Sequence, residues 1–245
     1  MTNELRTAIV TGAGKRIGRE IAASLLEDGW HVIAHVHHLE DDVPAGAVRI
    51  VADFEDPGCA ETIFAAAEGL PPVRLLVNNA ARFAWDGFGG FDPDEFSAHM
   101  AVNVRAPALL IDRFARAQSQ GEDSLVVNLL DSKVAAPNPD YLSYTLSKQA
   151  LAGLTELAAR ALASRGIRAN GIAPALMLRS PGQSQENFER MHANNPLGRG
   201  VEASDVIDAI RYLINARCVT GEVLVIDSGQ RFYGLERDVQ FLGEP

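Results

Sequence analysis

Cysteine is nearly absent from this 245-residue chain, which has only Cys59 and Cys218, far apart in sequence. Two residues without metal-ligand spacing exclude a disulfide framework and a cysteine zinc site, and two reduced, buried thiols are the expectation. Basic residues are also in short supply: 22 Lys and Arg stand against 32 Asp and Glu, a formal charge of −10. A nucleic-acid partner needs clustered cations to neutralise phosphates, so none is expected, although an anion can still be held locally. Long apolar runs are missing, and nothing approaches the roughly 20 residues that span a bilayer. The opening Met1-Thr2-Asn3-Glu4-Leu5-Arg6 lacks the basic-then-apolar layout of an export signal. The chain is therefore expected in the cytoplasm without a membrane partner. No Pro/Gly/Ser linker and no internal repeat interrupts it, so 1–245 is expected to be one domain.

What the chain does have is alternation. Apolar β-forming runs are expected as strands at 8–10, 31–36, 48–51, 73–77, 124–130, 167–172 and 222–226. Helical periodicity falls between them, up to about 27 and at 60–67, 93–117, 141–164 and 203–215. Apolar strands alternating with helices specify an α/β fold: a doubly wound parallel sheet of Rossmann type, covered on both faces. Two segments depart from the pattern, the Gly-rich 82–91 and the polar 176–197. Both follow carboxyl ends of strands, where open α/β sheets bind ligands, and both are candidate substrate loops.

The first strand runs into Thr11-Gly12-Ala13-Gly14-Lys15-Arg16-Ile17-Gly18 and then a helix. Glycines at a strand-to-helix turn let the backbone approach a pyrophosphate, and the helix N-terminus supplies free N–H donors and a positive dipole end. The second strand ends in His35-Val36-His37-His38, with no carboxylate to grip a ribose 2′-hydroxyl. With Lys15 and Arg16 nearby, this favours NADP(H) over NAD(H), although Glu40, Asp41 and Asp42 stand close behind. Three histidines could suggest a metal, but this strand end belongs to adenosine recognition in such a fold, and no metal is expected.

Tyr144 and Lys148 are spaced i, i+4, one above the other on a helix. A nearby ammonium favours phenolate over phenol and would bring the tyrosine closer to working pH. Such a group can give a proton to a substrate that accepts hydride, or take one back.

With these residues in hand, the chain resembles the short-chain dehydrogenase/reductase family over essentially its whole length. Further matching stretches are Ala52-Asp53-Phe54, Leu76-Val77-Asn78-Asn79-Ala80, Val102-Asn103-Val104, Asn170-Gly171-Ile172-Ala173-Pro174, Thr220-Gly221 and Asp227-Ser228-Gly229. The resemblance implies that Asp53 and Phe54 lie at the adenine and that Asn79 and Ala80 form the turn beside the cofactor. It also implies that Asn103 holds a proton-relay water near Lys148, and that Lys148 binds the nicotinamide ribose. The segment through Pro174 toward Met177 would approach the carboxamide. A homo-oligomer, often a tetramer built on the helices at 93–117 and 141–164, is a further implication.

Two departures carry information. Arg16 stands where the family usually has glycine, and Asp131 where it usually has the catalytic serine, thirteen residues before the tyrosine. A hydroxyl there suits polarising a ketone, whereas a carboxyl group suits a nitrogen centre, which it stabilises when protonated or supplies with a proton. Both departures, with Phe83 four residues after Asn79, resemble the pteridine reductase branch, which includes dihydromonapterin and dihydrofolate reductases. By that resemblance Arg16 reaches both cofactor phosphate and pterin, Phe83 stacks on the pterin ring, and Asp131, Tyr144 and Lys148 form the active site. The small-molecule substrate is then a pterin-like C=N compound. A ketone or secondary-alcohol enzyme, with Ser132 supplying the hydroxyl, remains open, as does a non-catalytic NADP-binding regulator. Phe83 could also simply be core.

Overall fold

A computed structural model of the chain describes residues 5–180 and 182–242. Pro181, within the segment 176–197, and both ends of the span 1–245 lie outside the described residues. Seven strands, β1 (Thr7–Val10), β2 (His31–Val36), β3 (Val48–Val51), β4 (Val73–Asn78), β5 (Ser124–Leu129), β6 (Ile167–Pro174) and β7 (Val223–Ile226), form one sheet in the order β3-β2-β1-β4-β5-β6-β7. Every pairing is parallel. Strands β1, β5 and β6 are buried at every position, so they do not alternate apolar with solvent-facing polar residues, and the polar Asn128, Arg168 and Asn170 within them are hydrogen-bonded.

Helices cover both faces. On one side α2 (Cys59–Ala65), α4 (Ala106–Ala117) and α5 (Leu142–Leu162) bury Ile63, Phe64, Leu110, Phe114 and Ala158 against Ile9, Leu76 and Val126. On the other, α1 (Arg16–Glu27) and α7 (Ala203–Asn215) bury Ile21, Leu25, Val206, Ile210 and Leu213 against Val10, Val77 and Val127. The chain leaves β1 toward β2 and β3, then crosses back to β4. The carboxyl ends of β1 and β4 thus flank the crevice where such sheets bind ligands.

Four expectations need correction. The helix expected at 93–117 is two helices: α3 (Pro93–Met100), begun by Asp92 accepting from the Asp94 and Glu95 amides, and α4, joined by a π-helical turn at Ala101–Arg105 that contains Asn103. Such widened turns are frequent at functional sites, because they re-aim a side chain without ending the helix. The segment 176–197 is not all loop, since α6 (Gln185–His192) starts where Ser184 accepts from the Asn187 amide. Tyr141 precedes α5 in the left-handed region, with φ 57°. Of the two cysteines, Cys59 is buried as expected but Cys218 is exposed.

The turn after β1 is held from beneath. Thr11 Oγ1 accepts from the amides of Asn79 and Ala80, and Asn79 Nδ2 donates to the carbonyls of Thr11 and Gly12. A Cβ at Gly18 would run into Gly12 O and Asn79 Nδ2. Gly18→Ala is therefore expected to lower the unfolding free energy by about 1–3 kcal/mol, the usual size of an overpacking cost. Denaturant titration reads it, and an unchanged midpoint would show that the turn has room to spare.

Candidate active site

Over the carboxyl ends of the strands lies a cavity of about 700 Å³. Its walls bring together Gly12, Gly14, Lys15, Arg16, Ile17 and Gly18 from the turn and α1, and His37 and His38 from the end of β2. Asp53, Phe54, Asn79, Ala80, Pro174 and Met177 line it as well, as do Phe83, Asp131, Tyr144 and Lys148. Of the sequence-derived candidates, Asn103 alone is not in the wall. It stands behind it, with Nδ2 donating to Ser147 Oγ at 2.9 Å and to Arg82 O at 3.0 Å, while Oδ1 accepts from Arg82 N at 2.7 Å.

The dinucleotide end fits a pyrophosphate. Helix α1 begins at Lys15 with no side-chain cap and no acidic residue in its first turn, so its positive end is left to an anion. Cβ atoms at Gly12 and Gly14 would press within 2.9 Å of Ala80 Cα and 2.8 Å of Asp41 Cβ, so side chains are excluded from both positions. Arg16 takes φ 52°, the left-handed conformation that the usual glycine adopts easily. A non-glycine there costs on the order of 1–3 kcal/mol, a strain that persists at sites where the side chain has work to do. Exposed His37 and His38 flank the far end beside Asp53, whose Oδ1 lies 4.0 Å from His37 Nε2. Asp41 is turned onto the His38 amide at 3.2 Å.

His35 was not marked as a site residue, yet it ties this end together. The Gly12 amide donates to its Nδ1 at 3.2 Å, so the proton sits on Nε2, which donates to Ala52 O at 3.0 Å. Its ring stacks on Phe54 at 4.3 Å. Burial pushes its pKa down to about 4. A histidine in an apolar strand usually reads as core, and only its three-dimensional neighbours reveal the link to the phosphate turn.

At the other end Tyr144 is buried on α5, and its hydroxyl donates to Asp131 Oδ2 at 3.0 Å. Asp131 Oδ1 accepts from Lys133 N at 2.9 Å in the short turn after β5. Lys148 Nζ lies 5.6 Å from the Tyr144 ring centre and donates to Leu129 O at 2.7 Å. The expected tuning is reversed. Burial, and then the carboxylate of Asp131, hold Tyr144 well above the usual phenol range, whereas burial brings Lys148 down to about 8. Local spacing predicted a cation lowering the phenol, but burial first and then a carboxylate in hydrogen-bond contact raise it, while the Lys148 ammonium has turned to a carbonyl.

Phe83 stacks one face on Tyr141 at 4.4 Å, sets Tyr144 edge-on at 4.8 Å, and is 38% exposed. It is wall rather than core. Ser132 lines the same cavity. A further wall comes from the C-terminal segment, through Leu235, Asp238 and Val239, which the sequence did not mark. Arg237 holds Asp140 at 2.8 and 2.9 Å, and Lys133 pairs with Asp238 at 2.8 Å. Among the described residues no group of His, Cys, Asp or Glu is arranged to hold a metal ion, and no helix is long and apolar enough to cross a membrane.

A parallel sheet with a glycine turn at its switch point, and a Tyr/Lys pair beside it, defines a nucleotide-dependent oxidoreductase. Residues 12–231 match the family model described as enoyl-(acyl carrier protein) reductase, and the chain belongs to the short-chain dehydrogenase/reductase family. It is 32% identical to pteridine reductase 1 of Leishmania tarentolae, covering 94% of this chain and 96% of that protein. Identity to L-xylulose reductase of Mesocricetus auratus is 31%, over 91% and 96%. The crystal structure of FolM alternative dihydrofolate reductase 1 from Brucella canis, complexed with NADP, superposes with a TM-score of 0.86 at 36% identity, covering 92% of this chain and 94% of that one.

Because the fold keeps His35 neutral, its contribution to stability is complete above pH 6.5 and is lost as pH falls toward 4. The loss is on the order of 3 kcal/mol. Chemical denaturation at pH 7 and pH 4 should show His35→Gln losing less stability on acidification than the parent by that amount. Equal losses would contradict the buried, neutral assignment.

Proposed function

We propose that the chain is an NADPH-dependent reductase of a pterin-like cyclic C=N substrate, working as one oxidoreductase domain over 1–245. The observation that carries this reading is the hydrogen bond from Tyr144 to Asp131. A phenol held well above its ordinary range keeps its proton, which is the state a reduction consumes. Bound NADPH would supply the hydride. The α1 N-terminus and Arg16 would hold its phosphates, with Lys15, His37 and His38 at the 2′-phosphate. Asp53 and Phe54 would lie at the adenine, Asn79, Ala80, Pro174 and Met177 along the nicotinamide half, and Lys148 at its ribose. These residues come from the carboxyl ends of β1, β2, β3, β4 and β6 and, for Lys148, from α5, and all line the same cavity.

As the imine carbon is reduced, the Tyr144 hydroxyl would give its proton to the adjacent ring nitrogen. Asp131, left with that hydrogen bond broken, stabilises the protonated nitrogen. Asn103 would hold the water that returns a proton along Lys148 to Tyr144. Phe83 offers the face on which a flat heteroaromatic ring aligns. The likeness to pteridine reductase 1 and to the NADP-complexed FolM structure supports the substrate and cofactor. We further propose a cytoplasmic homotetramer.

Ser132 in the same wall and the L-xylulose reductase relative favour a second reading, reduction of a ketone. NADPH oxidation with dihydrobiopterin, dihydromonapterin and dihydrofolate separates the two. Tyr144→Phe is expected to lower kcat by about 10²–10⁴-fold, the usual worth of a general acid, and Asp131→Ser to lose pterin turnover. Good ketone reduction with no turnover of any pterin would contradict the proposal.

A further inference from the structure

The pocket-lining ring of Phe83 has no hydrogen-bonding group of its own, yet the backbone on each side of it is held by a side chain of the same helical stretch. Asn103, in the π-helical turn, bonds both the amide and the carbonyl of Arg82. His99, one turn earlier on α3, takes the amide of Ala84 on Nε2 at 3.2 Å. Since that nitrogen accepts, Nδ1 carries the proton and donates to Glu95 O at 2.8 Å. The His99 side chain is fully buried, and its ring meets the Tyr144 ring edge-on at 6.4 Å. Glu95 then grips the Arg82 guanidinium through two hydrogen bonds. Beyond Ala84, buried Asp86 accepts from the Ser143 amide at 2.8 Å and from its hydroxyl, fastening the loop to the start of α5.

We infer that His99 is a positioning residue for substrate: by holding the Ala84 amide it sets the Phe83 ring across from Tyr144, and so fixes where a flat substrate lies relative to the proton donor. A histidine fits this task physically. Its ring bridges the helix carbonyl one turn back and the loop amide ahead, so the loop cannot shift without breaking a bond of the helix side chain. The inference rests on Phe83 being the substrate platform, because only then does its placement reach the reaction.

Two amides separate the two ring nitrogens. In His99→Gln the longer side chain carries an acceptor to Ala84. In His99→Asn the amide stops near the position of Nδ1 and leaves the Ala84 N–H without a partner. With NADPH and dihydrobiopterin, His99→Asn should raise KM for the pterin about tenfold, the size expected when a partly buried amide loses its acceptor. KM for NADPH should stay unchanged, and His99→Gln should remain within about threefold of the parent. In a Phe83→Ala background His99→Asn should add nothing further, since the residue acts through that ring. A merely structural role predicts the opposite pattern: lower thermal stability in both variants, with pterin KM unchanged.

Limited digestion with trypsin gives a readout that needs no substrate. The bond after Arg82 lies inside the clamped segment and should be cut at least tenfold faster in His99→Asn than in the parent, because cleavage requires local opening. Should His99→Asn not fold, His99→Leu, which also lacks the acceptor, takes its place in both arms. Unchanged pterin KM together with unchanged cleavage overturns the inference. If the parent protein turns over no pterin, the substrate reading falls instead, and the cleavage rates alone decide whether His99 holds the loop.

Discussion

The proposed chemistry depends on one contact, the hydrogen bond from the Tyr144 hydroxyl to the Asp131 carboxylate. Both groups are delivered by elements whose other contacts are already fixed. Tyr144 sits in the first turns of a 21-residue helix packed on the sheet. Asp131 caps the short turn that follows β5. Because Tyr144 is buried and the half-buried Asp131 carboxylate accepts its hydrogen bond, the phenol is held well above its usual range and keeps its proton. A serine in the same place would donate to a substrate oxygen. An aspartate instead offers negative charge to a centre that becomes positive or takes up a proton, and this directs the same fold toward nitrogen chemistry.

The two halves of the cavity solve different physical problems. The dinucleotide end is backbone, a helix terminus without acidic neighbours and glycines pressed against Ala80 and Asp41. Strain is accepted at Arg16, where a glycine would be easier, so that a cation can reach the crevice. The substrate end is built from side chains held by other side chains. Phe83 is braced by Tyr141, the loop behind it by His99, Asn103 and Asp86, and the opposite wall by the ion pairs of Lys133 and Arg237 with Asp238 and Asp140.

Much of this was legible in sequence, for physical reasons. Strands buried on both faces leave short runs that are mostly apolar and do not alternate, so β1 and β5 declared themselves, and with them the sheet. Gly12, Arg16, Asp131, Tyr144 and Lys148 were found because a site at the ends of parallel strands recurs at fixed places along the chain. Spacing could not reveal which charge governs Tyr144. Lys148 is one helical turn away in sequence, but it bonds Leu129 O, whereas Asp131 reaches the hydroxyl from another element. His35 and His99 were illegible for a similar reason, since each serves a backbone amide distant in sequence. The helix α6 is short and strongly polar, and the C-terminal wall is held by ion pairs between residues distant in sequence, so neither offers an apolar run to read.

The protonation state of Tyr144 tests the account most directly. The chain has four tyrosines, so protein labelled with carbon-13 at the phenol carbon gives few resonances, and the Tyr144→Phe variant assigns the one that matters. The account predicts that the Tyr144 resonance of the unliganded protein stays at its phenol position up to pH 10, and that in Asp131→Ser it begins to titrate at lower pH. A parent resonance moving to the phenolate position near neutral pH would contradict it.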